Sequence, residues 1–502
     1  MTWLSLAAML AAAGALPALA DDQPQWGQRH TRNMVSQEKS LPESFDPKSG
    51  ANIKWSVRLG TETYSSPVIA GGRVFIGTNN ERPRDRRHRG DRGVLMCLDE
   101  KDGRLLWQLV VPKLEGDIYL DWPRSGICSP ATVEGDRAYA MTNRGEAVCL
   151  DIHGMANGND GPYKDEGKHM ALRGRKPMKP TKTDADILWL FDIIGQAGIR
   201  QHDSTHCSIL LHDRFLYINT SNGNDRTHKR NPSPDAPSLI VLDKTTGRLL
   251  ARDHEGMGHL TFHSTWSSPA LGEVGGRHLI FFAGGDGVVY AFEALKGLPP
   301  AGKVQKLKRV WRFDCDPTAP KKDIHKYKRN LKVSPSNIKS MPVFHKGRVY
   351  VTVGGDIWWG KNKAWLKCID ASKTGDITKT GLIWSYDLNR HCCSTPAIHE
   401  GLIFVADCGR TVHCVDAKTG KAYWTHETRW PIWASTLVAD GKVYVGTRRG
   451  VFWIFAASKE KKVLGKIDLG AWISSTPVAA NGVLYIATHT HLYAVSSQTP
   501  QK

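Results

Sequence analysis

Beyond its first 20 residues, the 502-residue sequence has no apolar run long enough to cross a membrane. It lacks a Cys-x-x-Cys-His for a covalently attached c-type haem, and it lacks a P-loop, a dinucleotide fingerprint, a nucleophile elbow and any zinc-ligand spacing. No continuous helical periodicity of useful length appears. Acidic residues are the scarcer charge: 49 Asp and Glu face 68 Lys and Arg, a formal net charge of +19. These absences exclude a helical membrane bundle, a c-type cytochrome, a P-loop nucleotidase, a Rossmann dehydrogenase and an α/β-hydrolase. What remains is a basic, turn-rich β protein with 48 glycines and a 40% hydrophobic share.

What the chain does contain is repetition. One unit reads Ser394-Thr395-Pro396-Ala397-Ile398, then Gly401-Leu402-Ile403-Phe404-Val405, then Cys414-Val415-Asp416, then Lys418-Thr419-Gly420-Lys421, then Trp424. The same order of parts recurs with anchors at residues 67, 130, 209, 269, 342, 396, 437 and 477, spaced 63, 79, 60, 73, 54, 41 and 40 residues apart. Each unit holds four short strands rich in β-branched and aromatic residues, joined by Gly-containing turns. The last two spacings match the roughly 40–45-residue period of a four-stranded propeller blade. The longer spacings predict insertions, read as loops on one face. An array of sandwich domains would not repeat one Trp-turn signature in every sheet. The last unit stops at Leu492-Tyr493-Ala494-Val495 without a Trp strand, while a stray Trp strand, residues 52–60, precedes the first. Closing the last blade with the N-terminal strand removes an open edge. The expectation is an all-β, eight-bladed β-propeller spanning 52–497, after an N-terminal extension over 21–51.

The Asp-x-x-Thr-Gly-Lys-x-x-Trp run from Asp416 to Trp424, with relatives at Asp99–Trp107 and Asp243–Arg248, resembles the tryptophan-docking motif of quinoprotein alcohol dehydrogenase-like propellers. These are the pyrroloquinoline quinone (PQQ) repeat proteins. Gln25-Trp26-Gly27 ahead of the Trp55 strand is similar too, so the likeness covers nearly all of residues 25–497. It is specific for fold and weak for chemistry, because the family holds both dehydrogenases and non-catalytic scaffolds.

Residues 1–20 are apolar and end Ala18-Leu19-Ala20, which reads as a secretory signal peptide with an Ala-x-Ala site, although no Lys or Arg precedes the apolar run. The expectation is export to the periplasm or cell envelope, or secretion beyond it, with no transmembrane anchor after cleavage. Nucleic acid is not an expected partner. Six arginines fall between Arg82 and Arg92 and lysines crowd Lys321–Lys332. These read as solvated loops, with attraction to an anionic surface as the sharper alternative. Of the ten cysteines, Cys97, Cys149, Cys368 and Cys414 each stand two residues before a repeat Asp. Equivalent positions in different blades are too far apart to pair, so these four are expected to be reduced packing residues.

In a propeller of this family, the loop entering each innermost strand lies at the mouth of the central channel. The resemblance therefore implies that Tyr64, Arg124, Ile127, His202, Asp203, His206, His263, Trp266, Asn337, Lys339, His391, Cys392, Cys393, Trp430, Trp433 and Trp472 converge there. Bulky aromatics with a few polar groups suit a planar ligand. The expected cofactor- or ligand-binding set is His206, Trp266, His391, Cys392, Cys393 and Trp433. Asp203 is the candidate catalytic base and Trp266 the candidate platform, with Trp358-Trp359 as another. Cys392-Cys393 resembles the vicinal disulfide that lies against the cofactor in PQQ dehydrogenases. Strand alternation offers the other reading, one thiol into the channel and one into the sheet. The family's calcium ligands, a Glu, an Asn and an Asp, do not align. In the insertion 151–186, Gly158-Asn159-Asp160-Gly161 misses the EF-hand spacing. The leading functional reading is an exported binding module with a small ligand or an envelope protein at the channel mouth. The alternatives are a dehydrogenase that uses PQQ with calcium to oxidise an alcohol or sugar, and an envelope protein-assembly scaffold.

Overall fold

In the sixth repeat, Ala397–His399, Leu402–Ala406, Thr411–Asp416 and Ala422–Glu427 pair in order as one antiparallel sheet. The middle strands bury both faces, because each sheet is sandwiched between two others. The computed structural model describes residues 21–497, and within them eight such sheets close into a ring. Each of the eight sheet–sheet interfaces has its own apolar cluster; the cluster between blades 1 and 2 holds Phe75, Trp107, Val148 and Leu150. The ring closes as expected: Ile53–Arg58 pairs antiparallel with His491–Val495, and Trp55 stands opposite Ala494. The proposed signal peptide, residues 1–20, lies outside the described residues.

The repeat motif joins neighbouring blades. The Asp416 carboxylate accepts from the backbone N–H of Lys418 (3.0 Å) and Thr419 (2.7 Å), which shapes the turn. Gly420 then sits at φ +75°, where a Cβ would come within 2.7 Å of the Trp384 ring. That tryptophan belongs to blade 5 and donates its Nε1–H to the Ala417 carbonyl of blade 6 (3.2 Å). Trp55 on Gly103, Trp107 on Gly154 and Trp189 on Gly247 repeat the arrangement, each donating to a carbonyl of the next blade at 3.0, 2.9 and 3.0 Å. Glycine serves twice in this turn: it tolerates the left-handed conformation and leaves the ring its space. Cys97, Cys149, Cys368 and Cys414 stand directly across the ladder from Trp107, Trp189, Trp384 and Trp424. They are buried and unpaired.

The insertions do not share one face. Those between the third and fourth strands of a blade fold back along the outer edge of the preceding blade. Gln305–Lys306 adds a parallel strand to Leu249–Arg252, and Gly375–Asp376 adds one to Arg309–Asp314. Thr183 and Ala185 bracket Gln108 on the outer strand of blade 1, with hydrogen bonds of 3.0 and 2.9 Å. These segments cover edges that would otherwise pair with other chains. In the arginine-rich stretch Arg82, Arg86, Arg87 and Arg89 are exposed, as read from the sequence, but its end is tied to the protein. Arg92 is buried and donates to the Met170 carbonyl (2.9 Å), and Arg87 pairs with the buried Asp184 (2.9 Å).

Residues 23–36 run beneath the innermost strands and floor the channel. Backbone bonds tie Gln23 to Ile69, Pro24 to Val133, His30 to Leu271, Thr31 to Phe344 and Met34 to Val438. Arg32 is fully buried in this strap and donates to the carbonyls of Pro269 (2.9 Å), Trp26 (3.0 Å) and Ser208 (2.8 Å). Burial pushes its guanidinium down to about 9.

Candidate functional site

With the floor closed, the channel opens at the other end. The loops entering the innermost strands meet there with the loops between the second and third strands of blades 3, 5 and 7, and they enclose a cavity of about 400 Å³. Of the residues expected at the mouth, Asp203, His206, Trp266, Cys393 and Trp433 line this cavity, as do Tyr64, His263 and Lys339.

Three aromatic faces dominate it. Trp358 meets Trp266 and Trp433 edge-on, with ring centroids 5.5 and 5.8 Å apart. Of the Trp358-Trp359 pair, Trp359 packs instead on His228 (5.1 Å) and carries Lys328 Nζ 4.3 Å above its ring. Two cations stand on the aromatic faces. Lys339 Nζ lies 4.0 Å from the centre of the Trp266 ring, and the Arg448 guanidinium lies 3.7 Å from that of Trp433. Among the described residues Arg448 makes no ion pair.

Asp356 organises the polar wall. It is fully buried, and its Oδ2 accepts from Asn337 Nδ2 (2.9 Å) and His263 Nδ1 (3.0 Å), with Lys339 Nζ at 3.4 Å. Oδ1 accepts the backbone N–H of Trp358 and of Trp359, both at 3.0 Å. Burial opposes the charge, but His263 and Lys339 outweigh it and hold the carboxyl well below the usual range. Asp203 is the more accessible acid. Its Oδ2 is 3.5 Å from His263 Nε2 and its Oδ1 is 3.6 Å from His202 Nε2. Asp203 and Ser204 both carry positive φ, +62° and +72°, so this loop is strained where it meets the cavity. His206 packs at a tilt against Trp266 (4.6 Å), and burial lowers its imidazole to about 4.

Two expected members are displaced. Cys392 is turned into the sheet with Sγ 2.9 Å from the Ala406 carbonyl, while Cys393 faces the cavity. Consecutive residues on extended backbone point opposite ways, so the vicinal disulfide is not formed and both thiols are free. Cys393 Sγ instead lies 4.0 Å from Cys408 Sγ. His391 sits behind the wall in a small crevice with Asn337 and Cys392, and burial lowers it to about 4. Ile127 is a core residue, and Trp430 and Trp472 are exposed outside the cavity.

Several functional-looking residues escaped the repeat argument. His228 comes from the irregular loop between Phe215–Asn219 and Leu239–Asp243, and Tyr119 from the loop between blades 1 and 2. Arg448 lies in the 447–450 turn, which has the same length as the equivalent turns 142–145, 284–287 and 407–410, so nothing in its spacing set it apart.

The donor set can be tested against the family's cofactor. Calcium takes six to eight oxygens. Asp356 is enclosed with both oxygens engaged, and Asp203 is the one carboxylate lining the cavity. The calcium set does not fit. A flat polycarboxylate does, since indole faces and two cations line the same space.

A family model described as "Outer membrane protein assembly factor BamB" matches residues 38–159, 304–429 and 362–463. These segments cover more than half of the sequence, and the chain belongs to this family of PQQ-repeat propellers. Among curated proteins, a 1-butanol dehydrogenase (cytochrome c) of Thauera butanivorans is 31% identical over 96 residues, covering 16% of this chain and 14% of that protein. Quinoprotein alcohol dehydrogenase PedE of Pseudomonas putida is 39% identical over 69 residues, covering 14% of this chain and 11% of that protein. The chain thus matches only a small part of these relatives' length. Among solved structures, a europium-containing methanol dehydrogenase superposes with a TM-score of 0.59 at 12% identity, covering 95% of this chain and 98% of that one. BamB from Moraxella catarrhalis gives a TM-score of 0.51 at 11% identity, covering 89% and 97%. Likeness at this level shows the fold alone. Among the described residues no helix is long and apolar enough to cross a membrane.

Proposed function

We propose that this propeller binds a flat, anionic small molecule of the quinone-cofactor class at its channel mouth. The observation that carries the reading is the pairing of each cation with an indole face: Lys339 on Trp266 at 4.0 Å and Arg448 on Trp433 at 3.7 Å. A planar ligand with carboxylates would lie against the rings while Lys339 and Arg448 take its charges. Ser435, Ser474 and Thr476 line the same cavity and offer hydroxyls to its carbonyls. The name of one curated relative, a quinoprotein alcohol dehydrogenase, supports this ligand class. The apolar leader ending in Ala-x-Ala supports export, and we place the protein in the periplasm or envelope.

A second reading, dehydrogenation of an alcohol or sugar, is favoured by the strained Asp203 loop at the cavity. PQQ, when bound, would supply a two-electron acceptor. The chain's own part would be to orient the ligand, exclude water, and take a substrate hydroxyl proton on Asp203.

The test is titration with PQQ, followed by quenching of tryptophan fluorescence and by the absorbance retained after desalting. One equivalent should remain, and Lys339→Met and Arg448→Met should each weaken binding about tenfold or more, about 1.4 kcal/mol. No quenching and no retention would overturn the binding reading. Dye-linked oxidation that disappears in Asp203→Asn would promote the second reading.

A further inference from the structure

Beside the aromatic cavity lies a group of side chains that the ligand reading does not use. His202, His228 and His263 are all buried, and each offers a ring nitrogen within 4.8 Å of the others. Their ring centroids are 4.8, 4.8 and 5.1 Å apart. Hydrogen bonding fixes which nitrogens face inward. His202 Nδ1 lies 2.6 Å from the Asn224 carbonyl, and His263 Nδ1 lies 3.0 Å from Asp356 Oδ2. Both oxygens can only accept, so Nδ1 carries a proton, and in the neutral form of each ring, the form that binds a metal, Nε2 presents a lone pair. The Arg226 backbone hydrogen-bonds His228. His202 Nε2 and His228 Nε2 have no hydrogen-bond partner. Two unpartnered acceptors buried together are costly, and nothing in the surrounding protein donates to them.

We propose that His202, His228 and His263 form a binding site for one divalent transition-metal ion of the zinc, cobalt and copper group, with Asp203 as a fourth ligand or the orienting group of a bound water. Three neutral imidazoles suit such an ion and do not suit calcium or magnesium. The Asp356–His263 contact is the carboxylate–histidine pair that orients a ligand imidazole and raises its basicity. Nitrogens bound to one ion at about 2.1 Å stand about 3.4 Å apart, so closure asks only for small ring rotations. His228, His263 and Asp203 also line the cavity, which leaves one side of the ion open to it. The other grouping of this kind, Asp85, His88 and Asp184, already has Arg87 on both carboxylates, at 2.7 and 2.9 Å.

The sequence hid this site because its ligands stand 26 and 35 residues apart in three loops. It does not rest on the organic ligand, and its test uses none. Chelator-treated full-length protein would be titrated with Co²⁺, followed by d–d absorbance, with metal content measured by mass spectrometry after desalting. One equivalent per chain, displaced by Zn²⁺, is expected. His228→Gln should weaken binding at least 100-fold, and Asp356→Asn about 10–100-fold through its hold on His263. His278→Gln alters a histidine contact on blade 4 away from the mouth, with His278 4.8 Å from His212, and should change nothing. Zinc should raise the melting temperature of the parent but not of His228→Gln. This separates a lost ligand from a misfolded variant, as does an unchanged circular dichroism spectrum. Failure of the parent to bind one equivalent, or a His228→Gln protein that binds as tightly as the parent, would overturn the site.

Discussion

Gly420 and Gly401 lie in the same blade and have nearly the same backbone conformation, φ +75° and +79°. Alanine at either position pays the left-handed penalty of about 1 kcal/mol. At Gly401 nothing lies within 4 Å of the added Cβ, so the cost should end there. At Gly420 the Cβ meets Trp384 Cδ2 and Cε3 at 2.7 Å. The ring must move, which breaks its 3.2 Å bond to the Ala417 carbonyl and opens part of the interface between blades 5 and 6. A lost buried hydrogen bond costs about 1 kcal/mol and each re-exposed methylene-equivalent about 0.8 kcal/mol. Gly420→Ala should therefore lose about 3 kcal/mol, against about 1 for Gly401→Ala. Urea unfolding at unchanged m-value reads both. In a Trp384→Ala background the Gly420→Ala cost should fall to that of Gly401→Ala, a coupling of about 2 kcal/mol. Equal costs for the two glycines, or no coupling to Trp384, would refute the docking account.

Ring closure predicts that Trp55→Ala loses about 3–5 kcal/mol and aggregates on heating, because a buried ring and its 3.0 Å bond to the Glu100 carbonyl both go; light scattering during a melt checks this. Among the thiols, Cys393 should alkylate first under native conditions, since the Cys408 thiol and Lys339 lower it and its side chain faces the cavity. Cys97, Cys149, Cys368 and Cys414 should resist until unfolding, and peptide mapping that finds any two of them linked would overturn their packing role. His489 is buried between Tyr64 and Trp472, and burial together with Arg448 lowers it to about 3. Its folded value lies below its unfolded one, so its stabilising contribution is complete above about pH 6.5 and is lost as pH falls toward 3. The loss should be about 2 kcal/mol at pH 5, and His489→Gln should flatten that slope in denaturant melts.

The architecture was legible because every blade repeats the same local problem. A strand that must bury both faces, an Asp that folds a turn and a Gly that admits a neighbour's indole leave the same marks each time, from Asp99–Gly103 to Asp416–Gly420. The N-terminal closure could be read from a Trp strand with no unit of its own. The strap at residues 23–36 could not, because its main-chain bonds to innermost strands need no particular side chain; only the buried Arg32 marks it. The mouth was half legible. Residues just before innermost strands, such as Trp266 and Cys393, could be placed by register. Register misjudged Cys392, whose neighbour took the inward position. It could not reach His228 or Tyr119, which come from loops without a repeat. The insertions misled for a related reason. Spacing records how much chain is added but not whether it builds the mouth or covers an outer edge, as Gln305–Lys306 does.

Asp356 explains why the site is one unit although its parts come from different blades. Its carboxylate holds His263 from the third-to-fourth blade loop and lies 3.4 Å from Lys339, which enters blade 5. Its other oxygen pins the backbone of Trp358 and Trp359. A single buried charge thus sets the imidazole that faces the histidine cluster, the ammonium on Trp266 and the indole between Trp266 and Trp433. The nitrogen-rich sector and the cation–indole sector therefore cannot shift independently. A rigid ring with a closed floor supplies the frame, and the irregular loops supply the chemistry. That division lets one fold carry either a redox site or a scaffold, depending on what its mouth loops present. In this chain those loops present histidines where a calcium-type site would need carboxylates, and any chemistry at the mouth has to begin from that donor set.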